Sequence, residues 1–164
     1  MDNSKSLETS RGNANKLPSL LKYITDKRYK NVLNYGCGLY GEKHKQMMEK
    51  YGIKLTNFDK YIIGINYISD INMKEIDCIV CSNVLNVIPR EEEIVEILDF
   101  FVKSNKDIYI SIYEGSRSNK LNLNSNGYWQ RNETRKVFFD KFLKQYGFIR
   151  EKEFFYLKGG KYGN

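Results

Sequence analysis

A short apolar strand that runs directly into a glycine-rich turn is the strongest constraint on this fold. The segment Asn31 to Gly41 reads NVLNYGCGLYG, and the residues that follow have the pattern of a helix. Glycines in such a turn let a ligand approach the backbone, and the free N–H groups of the new helix face that ligand. A second predicted strand, Ile53 to Phe58, ends in Asp59, an acid placed to hold the two hydroxyls of a ribose. This pairing predicts a nucleoside-type ligand at the edge of a parallel α/β sheet.

Strands and helices alternate along the rest of the chain, which predicts one doubly wound α/β domain with three layers. A polar, flexible arm is expected at residues 1–15 and the domain at residues 16–164. Strands are predicted at 31–35, 53–58, 67–68, 76–82 and 107–113, and helices at 19–25, 40–51, 89–103 and 133–146. The sheet is expected to be mostly parallel and to end in a short antiparallel pair at 148–151 and 154–158.

The composition limits the class of protein and its partners. The chain has 164 residues and a net charge of +7, with no apolar run of bilayer length and no apolar block at its beginning. A cytoplasmic protein without a membrane span is therefore expected. The positive charge favours a nucleic-acid partner, but the lysines are scattered without a block of like charges. Charge alone leaves contact with nucleic acid open.

Cysteine and histidine do not predict a metal site. Cys78 and Cys81 are three residues apart in a strand, so their side chains point to opposite faces and cannot share a metal. They are interpreted as buried apolar residues. His44 has no Cys or His near it in sequence and is expected to be exposed on a polar helix face.

Two further strand ends complete the pattern, and the complete pattern shows a family resemblance. The acid Asp70 ends the predicted third strand, and the fourth ends in Ser82 and Asn83. In this combination the chain resembles the S-adenosylmethionine-dependent methyltransferases of the Rossmann-like class. YGCGLYG is similar to their first motif, FDKY to their second, SDI to their third and DCIVCSNVLNVIP to their fourth. The words NVLNVIP, TSRGN and GYWQRNE are also similar to a branch found in phages and beside DNA phosphorothioation genes.

The resemblance implies which residues hold S-adenosylmethionine and its product S-adenosylhomocysteine. The implied contacts are Tyr35, Gly36, Cys37, Gly38 and Gly41 with the methionine part, Asp59 and Lys60 with the ribose, Asp70 and Ile71 with the adenine, and Ser82 and Asn83 beneath the sulfonium. Methyl transfer from a cationic sulfur requires chiefly alignment, so no catalytic dyad is assigned, and Asn83 is only a candidate. Asp59 is alternatively a strand-end turn residue, and Asn83 and Asn86 are alternatively caps of the following helix.

The acceptor of the methyl group is left open by the sequence. The fourth strand lacks the Asp/Asn-Pro-Pro-aromatic word of methyltransferases that act on exocyclic amines, and no Pro-Cys nucleophile follows it. The candidate substrate contacts are Arg11, Asn86, Tyr113, Trp129, Gln130 and Arg131. A long loop is predicted at 114–132, and Trp129 is either a stacking platform for a base or an anchor for this loop. Arg11 either contacts a phosphate or carboxylate or is solvated.

Three functions follow from these features. The first is an S-adenosylmethionine-dependent methyltransferase, with nucleic acid or a nucleotide as the favoured acceptor. The second is a small-molecule methyltransferase with the same cofactor site. The third is a non-catalytic regulatory protein that binds the nucleoside.

Overall fold

A six-stranded, mostly parallel sheet forms the centre of the molecule. The structure is a computed structural model that describes residues 13–62, 67–125 and 127–160. The sheet strands are β1 (Asn31–Tyr35), β2 (Lys54–Phe58), β3 (Cys78–Ser82), β4 (Asp107–Ser111), β7 (Ile149–Arg150) and β8 (Phe155–Leu157). Their order is β2-β1-β3-β4-β8-β7; the first four are parallel, and β8 is antiparallel to both β4 and β7. The predicted doubly wound sheet with a closing antiparallel pair is confirmed.

Helices cover both faces of the sheet, because its central strands are apolar on both sides. The helices are α1 (Ser19–Ile24), α2 (Gly41–Glu49), α3 (Glu91–Lys103) and α4 (Arg135–Phe138). On one face, Leu21 of α1 and Met48 of α2 share a core with Val32 of β1. On the other face, Leu98 of α3 and Phe138 of α4 share a core with neighbouring strand residues. The predicted three layers are therefore confirmed, and no helix in the described ranges is long and apolar enough to cross a bilayer.

The cysteines of β3 divide between the two cores. Cys78 packs with α1 and α2, whereas Cys81 packs with α3, so their predicted opposite orientation is confirmed. The prediction that His44 is exposed is wrong, because its side chain is only 4% exposed. Its Nε2 lies 3.3 Å from the carbonyl oxygen of Asn13, so the segment before α1 lies against this face of α2. That contact joins residues far apart in sequence, and a helical pattern does not reveal it.

The predicted third strand at residues 67–68 is wrong. Residues Ile68–Asp70 form a single 3₁₀ turn, in which the N–H of Asp70 donates to the carbonyl oxygen of Tyr67 at 2.9 Å. Within the described residues, the chain passes from β2 to β3 without another strand, and β2 is an edge strand of the sheet. β3, the next described strand, pairs with β1 on the side opposite to β2.

The C-terminal third differs from its prediction in detail. The long loop 114–132 contains a small antiparallel hairpin of β5 (Asn122–Leu123) and β6 (Trp129–Gln130). The helix predicted at 133–146 begins as α4, continues as one π-helical segment, and closes with a 3₁₀ turn (Lys144–Tyr146). It ends at Gly147, whose φ of 81° is the left-handed conformation typical of helix C-termini.

Candidate functional site

The carboxyl ends of three parallel strands meet where the strand order of the sheet reverses. β2 lies on one side of β1 and β3 lies on the other. In open α/β sheets, ligands bind in the crevice that such a reversal opens at the carboxyl edge. Here a crevice of about 70 Å³ is lined by the end of β1, by residues 58–61 at the end of β2, by residues 82–84, 87 and 88 at the end of β3, and by α3. The switch point, where the strand order reverses, therefore contains a crevice lined by both polar and apolar side chains, as expected for this type of sheet.

The glycine-rich turn after β1 is held against the ends of both neighbouring strands. The N–H groups of Gly36 and Cys37 both donate to the carbonyl oxygen of Phe58, at 2.7 and 3.0 Å. Gly36 has a φ of 73°, and a Cβ on it would overlap Cγ2 of Val84, which follows β3. The residue must therefore be glycine for both conformation and space.

A second glycine of the turn is required by packing alone. A Cβ on Gly41 would lie 2.8 Å from the sulfur of Cys37 and 3.1 Å from Cγ of Asn57. The first residue of α2 thus contacts both the turn and β2. The protein's own side chains crowd Gly36 and Gly41, so the motif fixes the start of α2 as well as exposing backbone to a ligand.

Asp59 ties the turn to the end of β2. Its Oδ2 accepts from the N–H of Gly38 at 3.0 Å, and its Oδ1 accepts from the N–H of Tyr61 at 3.0 Å. Asp59 therefore has the role of a strand-end turn residue. A carboxylate offers about four lone-pair positions, so two acceptor positions remain for hydroxyl groups of a ligand.

The thiol and phenol nearest the turn remain protonated at neutral pH. Burial, followed by the charge of Asp59, raises the pKa of Cys37 to about 12. Burial also raises the pKa of Tyr35 well above its ordinary value, with further contributions from Cys81, Glu93 and Asp59. Tyr35 lines the crevice, whereas Cys37 is buried behind the turn against Gly41. Neither group supplies an anion or a nucleophile there.

The end of β3 brings Ser82 and Asn83 to the crevice, as the sequence predicts. Oγ of Ser82 is buried and has no hydrogen-bond partner among the described residues. Asn83 has a φ of 56°, and its N–H donates to the carbonyl oxygen of Ser111 at 2.9 Å. Asparagine tolerates this left-handed conformation better than most residues other than glycine. The exposed side chain of Asn83 is therefore held at the rim of the crevice.

An ion pair connects the two sides of the crevice. Nζ of Lys60 lies 3.1 Å from Oε1 of Glu93, and this hydrogen bond raises the pKa of Lys60. Glu93 also lines the crevice, and it belongs to the acidic run Glu91 to Glu93 at the start of the helix predicted at 89–103. The sequence did contain a signal for this position, because Glu93 stands four residues before Ile97 and therefore lies on the apolar face of α3.

Asp70 and Ile71 do not join this crevice. They line a separate cavity of about 500 Å³ that runs along the outer edge of β2, together with Lys45 and Lys54. The physical reason is the missing third strand, which was expected to carry Asp70 to the carboxyl edge of the sheet. The predicted adenine contact therefore has no support from the position of Asp70.

Three predicted substrate contacts are buried instead of facing a substrate. Nδ2 of Asn86 donates to Oε1 of Gln130 at 3.2 Å, and Nε2 of Gln130 donates to the carbonyl oxygen of Tyr113 at 3.0 Å. Nε and Nη2 of Arg131 donate to the carbonyl oxygens of Ile88 and Pro89 at 2.9 and 2.8 Å. These residues join the loops that follow β3 and β4, so the expectation that Asn86, Gln130 and Arg131 contact a substrate is corrected.

The remaining predicted substrate residues are placed differently. Tyr113 is 62% exposed just beyond β4, and Trp129 is half-buried on the β5–β6 hairpin. Arg11 lies outside the described residues. In the part of the chain that the structure describes, no group of three or more His, Cys, Asp or Glu side chains is arranged to hold a metal ion.

Comparisons with known proteins give distant likenesses to solved structures. No family model matches the sequence. No curated protein matches it either. Among solved structures, the 16S rRNA methylase ArmA is similar with a TM-score of 0.46 and 17% sequence identity, over 93% of each chain.

Proposed function

We propose that this protein is an S-adenosylmethionine-dependent methyltransferase. The observation that carries the proposal is Asp59, a carboxylate at the end of β2 that is fixed by two N–H groups and keeps two acceptor positions free. It lies beside the glycine turn at the switch point of a parallel sheet, where nucleotide ligands bind. The resemblance of the first, second and fourth sequence motifs, which all contribute residues to this crevice, supports the same assignment. The phage branch and the cytoplasmic location remain predictions from sequence.

The residues of the crevice fit the chemistry of the cofactor. The free acceptor positions of Asp59 suit the two ribose hydroxyls, the side chains of Val84 and Ile97 offer an apolar wall for a base, and the unpaired Oγ of Ser82 can bond a polar group of the ligand. The enclosed space of about 70 Å³ is small, since ligand pockets usually exceed about 300 Å³. A bound nucleoside therefore also needs the open mouth of the crevice.

The chain's own part in the reaction is binding and alignment. When bound, the cofactor supplies a methyl group on a cationic sulfur, and the carboxylate of Asp59 places negative charge in the same crevice, where Glu93 is paired with Lys60. Positioning the acceptor in line with that methyl group is the main requirement of the transfer. The amide of Asn83 stands at the rim, where it can orient an acceptor by a hydrogen bond. Cys37 stays protonated and takes no part as a nucleophile.

Binding of S-adenosylhomocysteine should depend on Asp59. We expect the ligand to raise the melting temperature of the unmodified protein, and Asp59→Ala to lower its affinity at least about 100-fold, because two hydrogen bonds to a charged group are lost. Asp70→Ala removes a carboxylate from the other cavity and should leave affinity unchanged. Calorimetric titration measures all three, with circular dichroism to show that each variant is folded. Absence of binding to the unmodified protein would eliminate the proposal.

For the acceptor, we propose nucleic acid or a nucleotide. Residues 115–132 contain no acidic residue, and among their basic side chains Lys120 is exposed, whereas Arg117 pairs with Glu114 at 3.1 Å. Leu123 and Trp129 are directly opposite each other on the β5–β6 hairpin, and Tyr113 is exposed nearby in sequence. Basic groups beside exposed apolar and aromatic side chains suit single-stranded nucleic acid, whose bases stack and whose phosphates are anionic. A small-molecule acceptor and a non-catalytic binder remain the alternatives.

The proposed acceptor predicts which substitutions should weaken the binding of nucleic acid. Trp129→Ala should weaken binding of single-stranded RNA or DNA about 5- to 150-fold, the range expected for one lost stacking contact. Lys50→Ala, at the residue that follows α2, should change it little. The measurement is fluorescence anisotropy at several salt concentrations, where a steep salt dependence is expected.

Labelled-methyl transfer to nucleic-acid, protein and metabolite pools then separates the three functions. Label in nucleic acid supports the proposed acceptor, and label in metabolites alone favours the small-molecule enzyme. Cofactor binding without transfer to any pool favours the regulatory binder. Failure to bind nucleic acid even at low salt would contradict the proposed acceptor.

A further inference from the structure

We propose that Glu93 selects the base of the cofactor by accepting a hydrogen bond from the exocyclic amine of adenine. This inference rests on the proposed function, and it assigns to helix α3 the contact that the sequence had suggested for Asp70. It concerns binding specificity and does not make Glu93 part of the methyl-transfer step.

The first observation that supports this role is the position of Glu93. Its side chain is 14% exposed and lines the same crevice as Asp59. Lys60, the residue after Asp59, reaches across to Glu93 with an N–O distance of 3.1 Å. One lysine side chain therefore connects the segment proposed to hold the ribose with the carboxylate on α3, and a base attached to that ribose can extend toward Glu93.

The second observation is the set of side chains that surround Glu93. Apolar atoms of Tyr35, Val87 and Ile97 line the same crevice, and they suit the flat faces of a purine ring. Glu93 is the acidic side chain that α3 contributes to this lining. An ionised carboxylate only accepts hydrogen bonds, so it favours an amine on the ring and disfavours a ring carbonyl at the same position. Lys60 occupies one acceptor position and leaves others free.

Stabilisation of the start of helix α3 does not by itself explain why an acidic residue stands at position 93. Glu91 and Glu92 stand in the same first turn with exposed side chains, and they already supply negative charge to the positive end of the helix dipole. Glu93 differs from them because it is mostly buried, paired with Lys60 and directed to the crevice. Glu92 is consequently a matched control, with the same side chain and the same helix end.

The test compares two ligands that differ at one position of the base. S-adenosylhomocysteine carries the 6-amino group, and S-inosylhomocysteine carries a 6-oxo group instead. We expect calorimetric titration of the unmodified protein to show at least about a tenfold preference for the amino ligand, because the oxo group leaves the carboxylate facing another acceptor. Glu93→Gln should remove or reverse that preference, since an amide can also donate. Glu92→Gln should retain it.

Further variants keep the inference separate from folding and from the proposed function. Lys60→Met leaves Glu93 in place and should keep the amino preference, whereas Glu93→Asp withdraws the carboxylate and should reduce it. An unchanged preference in a folded Glu93→Gln protein that still needs Asp59 for binding would overturn the role of Glu93 alone. No binding of either ligand to the unmodified protein would overturn the proposed function itself.

Discussion

Gly36→Ala should destabilise the fold by about 2–5 kcal/mol and abolish binding of S-adenosylhomocysteine. Gly36 has a φ of 73°, and a left-handed residue with a side chain costs roughly 1–2 kcal/mol. The added methyl group would overlap Cγ2 of Val84 and lie 3.2 Å from Cγ1, and forced packing of this kind costs typically about 1–3 kcal/mol. Because Val84 belongs to the crevice wall, relief of this contact by movement of either strand end would displace that wall.

Gly52→Ala is the matched control for this variant. Gly52 has a φ of 72°, but no atom lies within 4 Å of the position that its Cβ would occupy. It should therefore lose only the conformational part, roughly 1–2 kcal/mol, and retain ligand binding. Denaturant unfolding gives both free energies of unfolding. Equal losses in the two variants would show that Val84 does not restrict residue 36.

Arg131→Met should cost about 3–5 kcal/mol of stability, the range for breaking a buried charge pair from one side. The side chain of Arg131 is 3% exposed, and its Nη1 lies 3.5 Å from Oε1 of the buried Glu133. Its loss leaves the carbonyl oxygens of Ile88 and Pro89 without these donors, and it leaves Glu133 with Lys141 at 3.2 Å. Ligand affinity should also fall, because Ile88 lines the crevice.

Two further variants test whether the buried charge is the cause. Lys136→Ala breaks an exposed pair with Asp140 on the same C-terminal helix, and we expect little change in stability from it. Arg131→Met combined with Glu133→Gln also removes the buried carboxylate that has lost one of its two cationic partners, and it should recover part of the lost stability. If Arg131→Met unfolds at the same denaturant concentration as the unmodified protein, the buried network does not hold the loops together.

Local sequence patterns predicted the elements whose residues interact with near neighbours. β3 was identified by a nearly continuous apolar run, since a strand buried on both faces has no polar side. β1 was identified as a short apolar segment directly before the glycine-rich turn. Asp59 was identified because a strand end followed by an acid is a local feature. The opposite burial of Cys78 and Cys81 followed from the two-residue period of a strand.

The remaining features depend on contacts between distant residues. Tyr67 and Ile68 form too short an apolar run to distinguish a strand from a turn, and no neighbouring strand pairs with them. Arg131 is buried because its partners are carbonyl oxygens more than 40 residues away, at Ile88 and Pro89. The position of Glu93 in the crevice was not predicted, because Glu93 belongs to an acidic run whose other members stabilise the start of a helix.

Electrostatic roles were harder to predict than strand positions for the same reason. The hydrogen bond from Lys141 holds the pKa of Glu91 below its ordinary value, and the charge of Arg131 contributes to the shift. These three residues approach one another only because α3 and the helical segment after β6 cover the same face of the sheet. A single sequence gives the charges but not this arrangement.

The most direct test of the central claim is a crystal structure of the protein grown with saturating S-adenosylhomocysteine. We expect the ribose hydroxyls within hydrogen-bond distance of the Asp59 carboxylate, and the base between the segment after β3 and helix α3. Ligand density along the outer edge of β2 beside Asp70, or a crevice that stays closed by its own side chains at saturating ligand, would contradict the account.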